Sequence, residues 1–242
     1  MSLLKDQIAL VTGASGGIGG AIAEALAAQA ARLILVGRNA ERLWVLAERI
    51  RGRSPEVDVQ VTDLADDVKL RRLVARVLGT FGGIDLLIHA AGAFAAGPLE
   101  TAPVEDLDRL LRINTRSPYL LTQLLLASLK SRQGQVVFVN SSAGSAPRAG
   151  IGAYAASKAA LKALAESLRA EVDSEGVRVL SVFPGPTATP MREEVHRLEG
   201  RAYEPERLLQ PADVAAAVVN ALTLPRTAEV TDLDLRPLQP AE

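Results

Sequence analysis

The 242-residue sequence contains no cysteine, which excludes a disulfide framework and every thiolate metal site. Its two histidines, His89 and His196, form neither an H-E-x-x-H motif nor a pair at helical spacing, so zinc chemistry has little to build on. Charge of either sign is not in excess: the formal net charge is −1, whereas nucleic-acid binders usually carry a basic surplus. No apolar run approaches the roughly 20 residues that span a bilayer. The first residues, Met1-Ser2-Leu3-Leu4-Lys5-Asp6, lack an apolar stretch behind a basic start, so no signal peptide is expected. What these absences leave is a soluble, cytoplasmic protein without nucleic-acid or membrane partners, drawn as one domain over residues 1–242. Lysine is also scarce, at five of 27 basic residues, so a lysine at a meaningful spacing carries weight. The arginine excess itself reads as the signature of a GC-rich genome.

Short apolar runs alternate with longer amphipathic ones. Strands are expected at 8–12, 32–36, 57–62, 84–89, 135–140, 177–183 and 230–235. Helices are expected at 19–31, 41–50, 66–78, 104–130, 152–174 and 211–224, the last with Pro211 at its first position. Strands apolar on both faces, each followed by a helix, predict an α/β fold: a doubly wound, Rossmann-type parallel sheet in three α/β/α layers. Residues 186–210 show weak periodicity and dense mixed charge, and 190–210 is expected to be a substrate lid.

Thr12-Gly13-Ala14-Ser15-Gly16-Gly17-Ile18-Gly19 falls between the first strand and the first helix. Glycines there let the backbone turn tightly and approach a pyrophosphate at the positive helix N-terminus. A carboxylate about 20 residues past such glycines accepts the ribose 2′-hydroxyl of NAD. Here that place reads Gly37-Arg38-Asn39, and a guanidinium at Arg38 suits the 2′-phosphate of NADP. A solvated Arg38 is the plainer alternative.

Tyr154 and Lys158 stand at i, i+4 near a helix start and so share a face. Of three tyrosines, only this one has such a lysine. A free phenol titrates near pH ~10. An ammonium ~4 Å away, at an effective dielectric of about 20, is worth about 4 kcal/mol, or about three pKa units toward neutrality. Ser141 lies thirteen residues before Tyr154 at the end of a predicted strand, where open α/β sheets place ligands; Ser142 is the competing hydroxyl.

With its G-x-x-x-G-x-G loop and this Ser-Tyr-Lys set, the sequence resembles the short-chain dehydrogenase/reductase family from Thr12 to about Pro211. The resemblance implies a catalytic tetrad of Asn114, Ser141, Tyr154 and Lys158, with Gly144 three residues past the serine as the family has it. It implies cofactor contacts from Gly13, Ser15, Gly17, Ile18 and Gly19 in the loop, and from Asp63 and Leu64 near the adenine. Further contacts are implied along Ala90-Ala91-Gly92 and from Pro184, Gly185, Thr187 and Thr189, besides Tyr154 and Lys158 themselves. Three departures stand out. The family's basic residue before the middle glycine is absent, because Gly16 stands there. Its usual NNAG reads His89-Ala90-Ala91-Gly92 here, so side chains that steady the central sheet are replaced. The chain also ends without a Gly-Gly-rich strand, which weakens a role in fatty-acid synthesis.

The resemblance implies hydride transfer between NADP(H), favoured over NAD, and a carbonyl or secondary alcohol, with Tyr154 as acid/base. An NAD-linked alcohol dehydrogenase and a non-catalytic NADP-binding sensor are the rivals. Phe94, Arg148 and Ile151 are implied pocket residues, giving an apolar wall with one basic rim. A homodimer or homotetramer is implied through the long helix before Lys130 and the Tyr154 helix. His89 is expected to be a locally hydrogen-bonded structural residue, and His196 a solvated one.

Overall fold

The computed structural model describes residues 4–238; residues 1–3 and 239–242 of the expected domain lie outside the described residues. Seven parallel strands form one sheet in the order β3-β2-β1-β4-β5-β6-β7: β1 (Ile8–Thr12), β2 (Arg32–Gly37), β3 (Val57–Val61), β4 (Leu86–His89), β5 (Gln135–Val139), β6 (Arg178–Pro184) and β7 (Asp232–Leu235). Every residue of β1, β4 and β5 is buried, as a sheet covered on both faces requires. The outermost β7 instead leaves Asp232 and Asp234 exposed, charges that blunt a sheet edge.

Two apolar layers flank this sheet. On one face α1 (Gly17–Ala28), α2 (Ala40–Ile50) and α8 (Pro211–Leu222) contribute Ile22, Leu26, Leu43 and Val218; on the other, α3 (Asp67–Phe81), α5 (Ser117–Ser131) and α6 (Gly152–Val172) contribute Leu73, Leu125 and Leu161. Strand order reverses between β1 and β4, and the crevice opens at their carboxyl ends.

Two expectations need correction. The single helix expected over 104–130 is α4 (Val104–Leu111) and α5 joined by a π-helical turn at Arg112–Arg116, where the wider turn reorients Asn114. The aperiodic stretch after Pro186 contains a helix, α7 (Pro190–Glu199), which Thr189 caps by accepting from the Arg192 N–H and which Gly200 ends at φ 66°. Elsewhere the expected elements are present, with ends displaced by at most three residues.

Candidate active site

The glycine loop is shaped by backbone contact. A Cβ on Gly13, whose φ is +69°, would lie 2.7 Å from the Ala90 carbonyl oxygen and the Ala91 nitrogen; one on Gly19 would lie 2.5 Å from the Gly13 oxygen. Only glycine fits either place. Thr12 joins the two strand ends: its hydroxyl donates to the Ile88 oxygen (3.2 Å) and accepts from the Ala90 and Ala91 N–H groups (3.1 and 3.2 Å). The N-terminus of α1 has neither a side-chain cap nor an acidic residue in its first turn, so its positive end is left for an anion.

At the end of β2, Ser15 Oγ approaches Gly37, and Arg38 projects, exposed, at the mouth of the crevice. Asn39 caps α2 by accepting from the Arg42 N–H at 2.9 Å. Arg42 lines the same mouth, a second guanidinium that the sequence reading missed. Asp63 accepts from the Ala65 N–H at 3.1 Å and stands with Leu64 on the opposite rim.

Ser141 follows β5 in extended conformation, and its Oγ accepts from the Ala143 N–H at 3.2 Å while sharing a hydrogen bond with the Tyr154 hydroxyl. A Cβ on Gly144 would lie 3.1 Å from the Lys158 carbonyl oxygen, so this glycine lets the serine turn rest on α6. From α6, Tyr154 meets Phe94 edge to face at 4.9 Å, and Lys158, 4% exposed, donates to the Val139 oxygen at 3.0 Å. Burial pushes the Lys158 ammonium down to about 8. It also pushes the Tyr154 phenol above its usual value, against the Ser141 hydrogen bond, which pulls it down. Here the expected direction is corrected: desolvation governs this phenol, where spacing alone led us to expect a neighbouring charge to lower it.

The Asn114 side chain is hydrogen-bonded within the fold. Its Oδ1 accepts from the Ala93 N–H (2.8 Å), and its Nδ2 donates to the Ala93 oxygen and Ser157 Oγ (2.9 and 3.0 Å). Ser157 Oγ in turn donates to the Tyr154 carbonyl at 2.7 Å, which ties the π-helical turn to α6. His89 answers the question raised by its missing asparagine. It is 3% exposed, hydrogen-bonded to Thr122 Oγ1 at 2.8 Å and stacked on Phe138 at 4.9 Å, so α5 steadies the central sheet through it. Burial lowers its pKa to about 3 and keeps it neutral. His196 is buried against Tyr203, contrary to the solvated position expected for it, because α7 turns that face inward.

On the β6 side, the Gly185 N–H donates to Leu235 O (2.8 Å), Thr187 Oγ1 donates to the Gly185 oxygen (2.9 Å), and the Thr189 methyl sits 3.3 Å from where a Gly17 Cβ would be. Most of these parts face one cavity of about 720 Å³. Of the residues expected at the site, Gly13, Ser15, Gly17, Ile18, Arg38, Asp63, Leu64, Ala90, Ala91, Gly92, Phe94, Ser141, Arg148, Ile151, Tyr154, Lys158, Pro184, Gly185, Thr187 and Thr189 line it. Gly19 and Asn114 stand behind the lining. Ser142, the competing hydroxyl, also lines the cavity; Asn140 and Pro186 were missed, and Met191, Arg192, Val195 and Arg201, within the expected lid, were not singled out. The Thr-Pro start and glycine stop of α7 were the signal that could have found the last group.

Residues 7–200 match the family model described as short chain dehydrogenase. The chain belongs to the short chain dehydrogenase family. An uncharacterized oxidoreductase of Staphylococcus epidermidis is 34% identical over 241 residues, covering 98% of this chain and all of that one. Among solved structures, an alcohol dehydrogenase from the archaeon Thermococcus sibiricus complexed with 5-hydroxy-NADP superposes with a TM-score of 0.89 at 28% identity, covering 98% of this chain and all of that one. A short chain dehydrogenase from Shigella flexneri complexed with NADP gives 0.86 at 33% identity, covering 96% and 98%. This short chain dehydrogenase is therefore an NAD(P)-dependent oxidoreductase. Among its described residues no helix is long and apolar enough to cross a membrane, and no three His, Asp or Glu groups gather to hold a metal ion.

Proposed function

We propose that this oxidoreductase reduces a carbonyl, or oxidises the matching secondary alcohol, with NADP(H) preferred over NAD(H). The observation that carries the reading is the shared hydrogen bond of Ser141 and Tyr154 at the mouth of β5, one helical turn from the buried Lys158. The residues fit a dinucleotide: the close approach at Gly13 and Gly19, where a Cβ would fill the cradle, and the uncapped α1 suit a pyrophosphate. Arg38 and Arg42 would hold a 2′-phosphate, Asp63 and Leu64 the adenine, and Thr187 and Thr189 the nicotinamide side. Bound NADPH supplies the hydride.

The chain's own part is orientation and proton transfer. Ser141 and Tyr154 together polarise the carbonyl oxygen, and Tyr154 hands its hydroxyl proton to that oxygen as it gains charge. The Lys158 ammonium, held by the Val139 carbonyl, stabilises the phenolate left behind. Asn114 and Ser157 set the backbone of the Tyr154 turn, and the π-helical turn keeps both in reach. The segment 190–210, headed by α7, would serve as the lid over a bound substrate.

A carbonyl panel followed at the nicotinamide absorbance, with NADPH and NADH in parallel, tests the reading. NADPH-dependent turnover is expected; a preference for NADH would refute the role given to Arg38. We also propose a homodimer or homotetramer formed through α5 and α6. Light scattering after gel filtration checks this, and a monomer would overturn it.

A further inference from the structure

The wall beside the Ser141–Tyr154 pair is apolar. The Phe94 ring stands edge to face against Tyr154 at 4.9 Å, and the buried Ile151 adds to the wall where α6 begins. From α7, Met191 and Val195 stand one turn apart and so share a face, and both line the cavity. Val195 is buried, but Met191 is 39% exposed, a large apolar side chain left uncovered beside the cavity.

The polar groups at this end are engaged elsewhere. Arg148, Arg192 and Arg201 line it too, and each already has a partner within the protein. Glu193 and Arg192 act on the Tyr203 phenol in opposite senses, so their charges offset one another there. Asn140 is buried, and its Oδ1 is taken by the Ser141 N–H at 2.9 Å. Ser142 adds one exposed hydroxyl. Among the described residues that line the cavity the single carboxylate is Asp63, on the nucleotide rim.

A charged or polyhydroxylated molecule set against Phe94, Ile151 and Met191 would shed water without gaining partners, whereas an apolar one gains by covering them. We infer that the substrate is an uncharged ketone with an apolar substituent, which lies on Phe94 and is covered by the Met191–Val195 face of α7. This rests on the carbonyl-reduction reading above and names its substrate class. In the step itself the C=O π bond breaks, and the carbon gains the hydride that NADPH loses as it is oxidised to NADP+. The oxygen gains the Tyr154 proton, and the product is the secondary alcohol.

Methyl ketones of increasing length, 2-butanone, 2-hexanone and 2-octanone, test this with NADPH. The expected kcat/KM rises about two- to fourfold for each added methylene. It is also about tenfold or more higher for 2-hexanone than for 5-oxohexanoate, in which a carboxylate replaces the last methyl. Met191→Gln flattens the rise with length, and a slope that survives there overturns the part given to α7. Leu99→Gln changes an apolar side chain that is 93% exposed and outside the cavity lining, and it leaves the slope as it is. In the unaltered protein, a flat or falling series, or an acid equal to or better than 2-hexanone, overturns the inference. If no ketone is reduced, calorimetric titration of the protein with NADP+ present separates the two claims. Binding that tightens about twofold or more per methylene upholds the apolar site and counts against carbonyl reduction. Binding that does not change with length, or none at all, overturns the apolar site.

Discussion

The two ends of the cavity are built by different means. At the nucleotide end the shape is backbone: Gly13 and Gly19 admit no Cβ, and Thr12 ties the loop to Ala90 and Ala91. At the far end the shape is side chain, with Tyr154 against Phe94, Lys158 under Val139, and arginines on three separate segments. A backbone cradle recognises what every pyrophosphate shares, whereas side chains can be exchanged without moving the frame. The difference teaches where change is tolerated. Substitution at the nucleotide end should cost the fold or the cofactor, and substitution at the other end should cost chemistry or choice of substrate.

Tyr154→Phe separates the ends most sharply. Loss of the proton donor is expected to lower kcat by about 10²–10⁴-fold, with NADPH affinity by fluorescence titration nearly unchanged. Full activity in that variant would refute the role assigned to Tyr154. Arg38→Ala should act on the other end alone: losing a charge-assisted contact to the 2′-phosphate is worth about 1.5–3 kcal/mol, read as weaker NADPH binding with NADH binding unaltered. Equal losses for both cofactors would mean that Arg38 does not read the phosphate. Gly13→Ala should lower stability by about 1–3 kcal/mol in a denaturant titration, because φ +69° and the Ala90 oxygen both oppose a Cβ. An unchanged midpoint would show that the loop can yield.

A further effect, visible only in acid, concerns the frame that both ends share. His89 titrates near 3 in the fold against 6.5 for the free side chain, because burial disfavours its charged form. Below pH 6.5 the unfolded chain takes a proton that the folded chain refuses. The stability from the neutral ring is therefore complete above 6.5 and is lost as pH falls toward 3, with a slope of at most about 1.4 kcal/mol per pH unit. His89→Asn keeps a hydrogen-bonding group beside Thr122 and removes the titration. Its stability curve should be flatter between pH 6.5 and 4, and identical curves would place the acid sensitivity elsewhere.

Legibility in the sequence follows the same division. The glycine loop was readable because covalent geometry alone demands glycine where the chain doubles back, and Tyr154 with Lys158 because a helical turn fixes their common face. The parallel sheet was readable from strands apolar on both sides. The π-helical turn at Asn114 was not, since the leucines of α4 and α5 run on in one apparent period across it. Mixed charge hid α7, because arginines that line the cavity and arginines that pair on the surface look alike until the helix is placed. The upward shift of Tyr154 was hidden for a related reason: spacing reports a neighbour, but only packing reports how much water remains.

The hydroxyl of Thr12 has a consequence in time as well as in shape. It meets Ile88, Ala90 and Ala91 across 76 to 79 residues of chain. The first βα unit can form its strand and helix early, since those contacts are local, but its loop is not held until β4 has been made and has inserted beside β1. During synthesis the nucleotide cradle is thus assembled well after the glycines that define it have left the ribosome. Cofactor capture then reports a correctly closed sheet, and stabilises only chains that have passed that point.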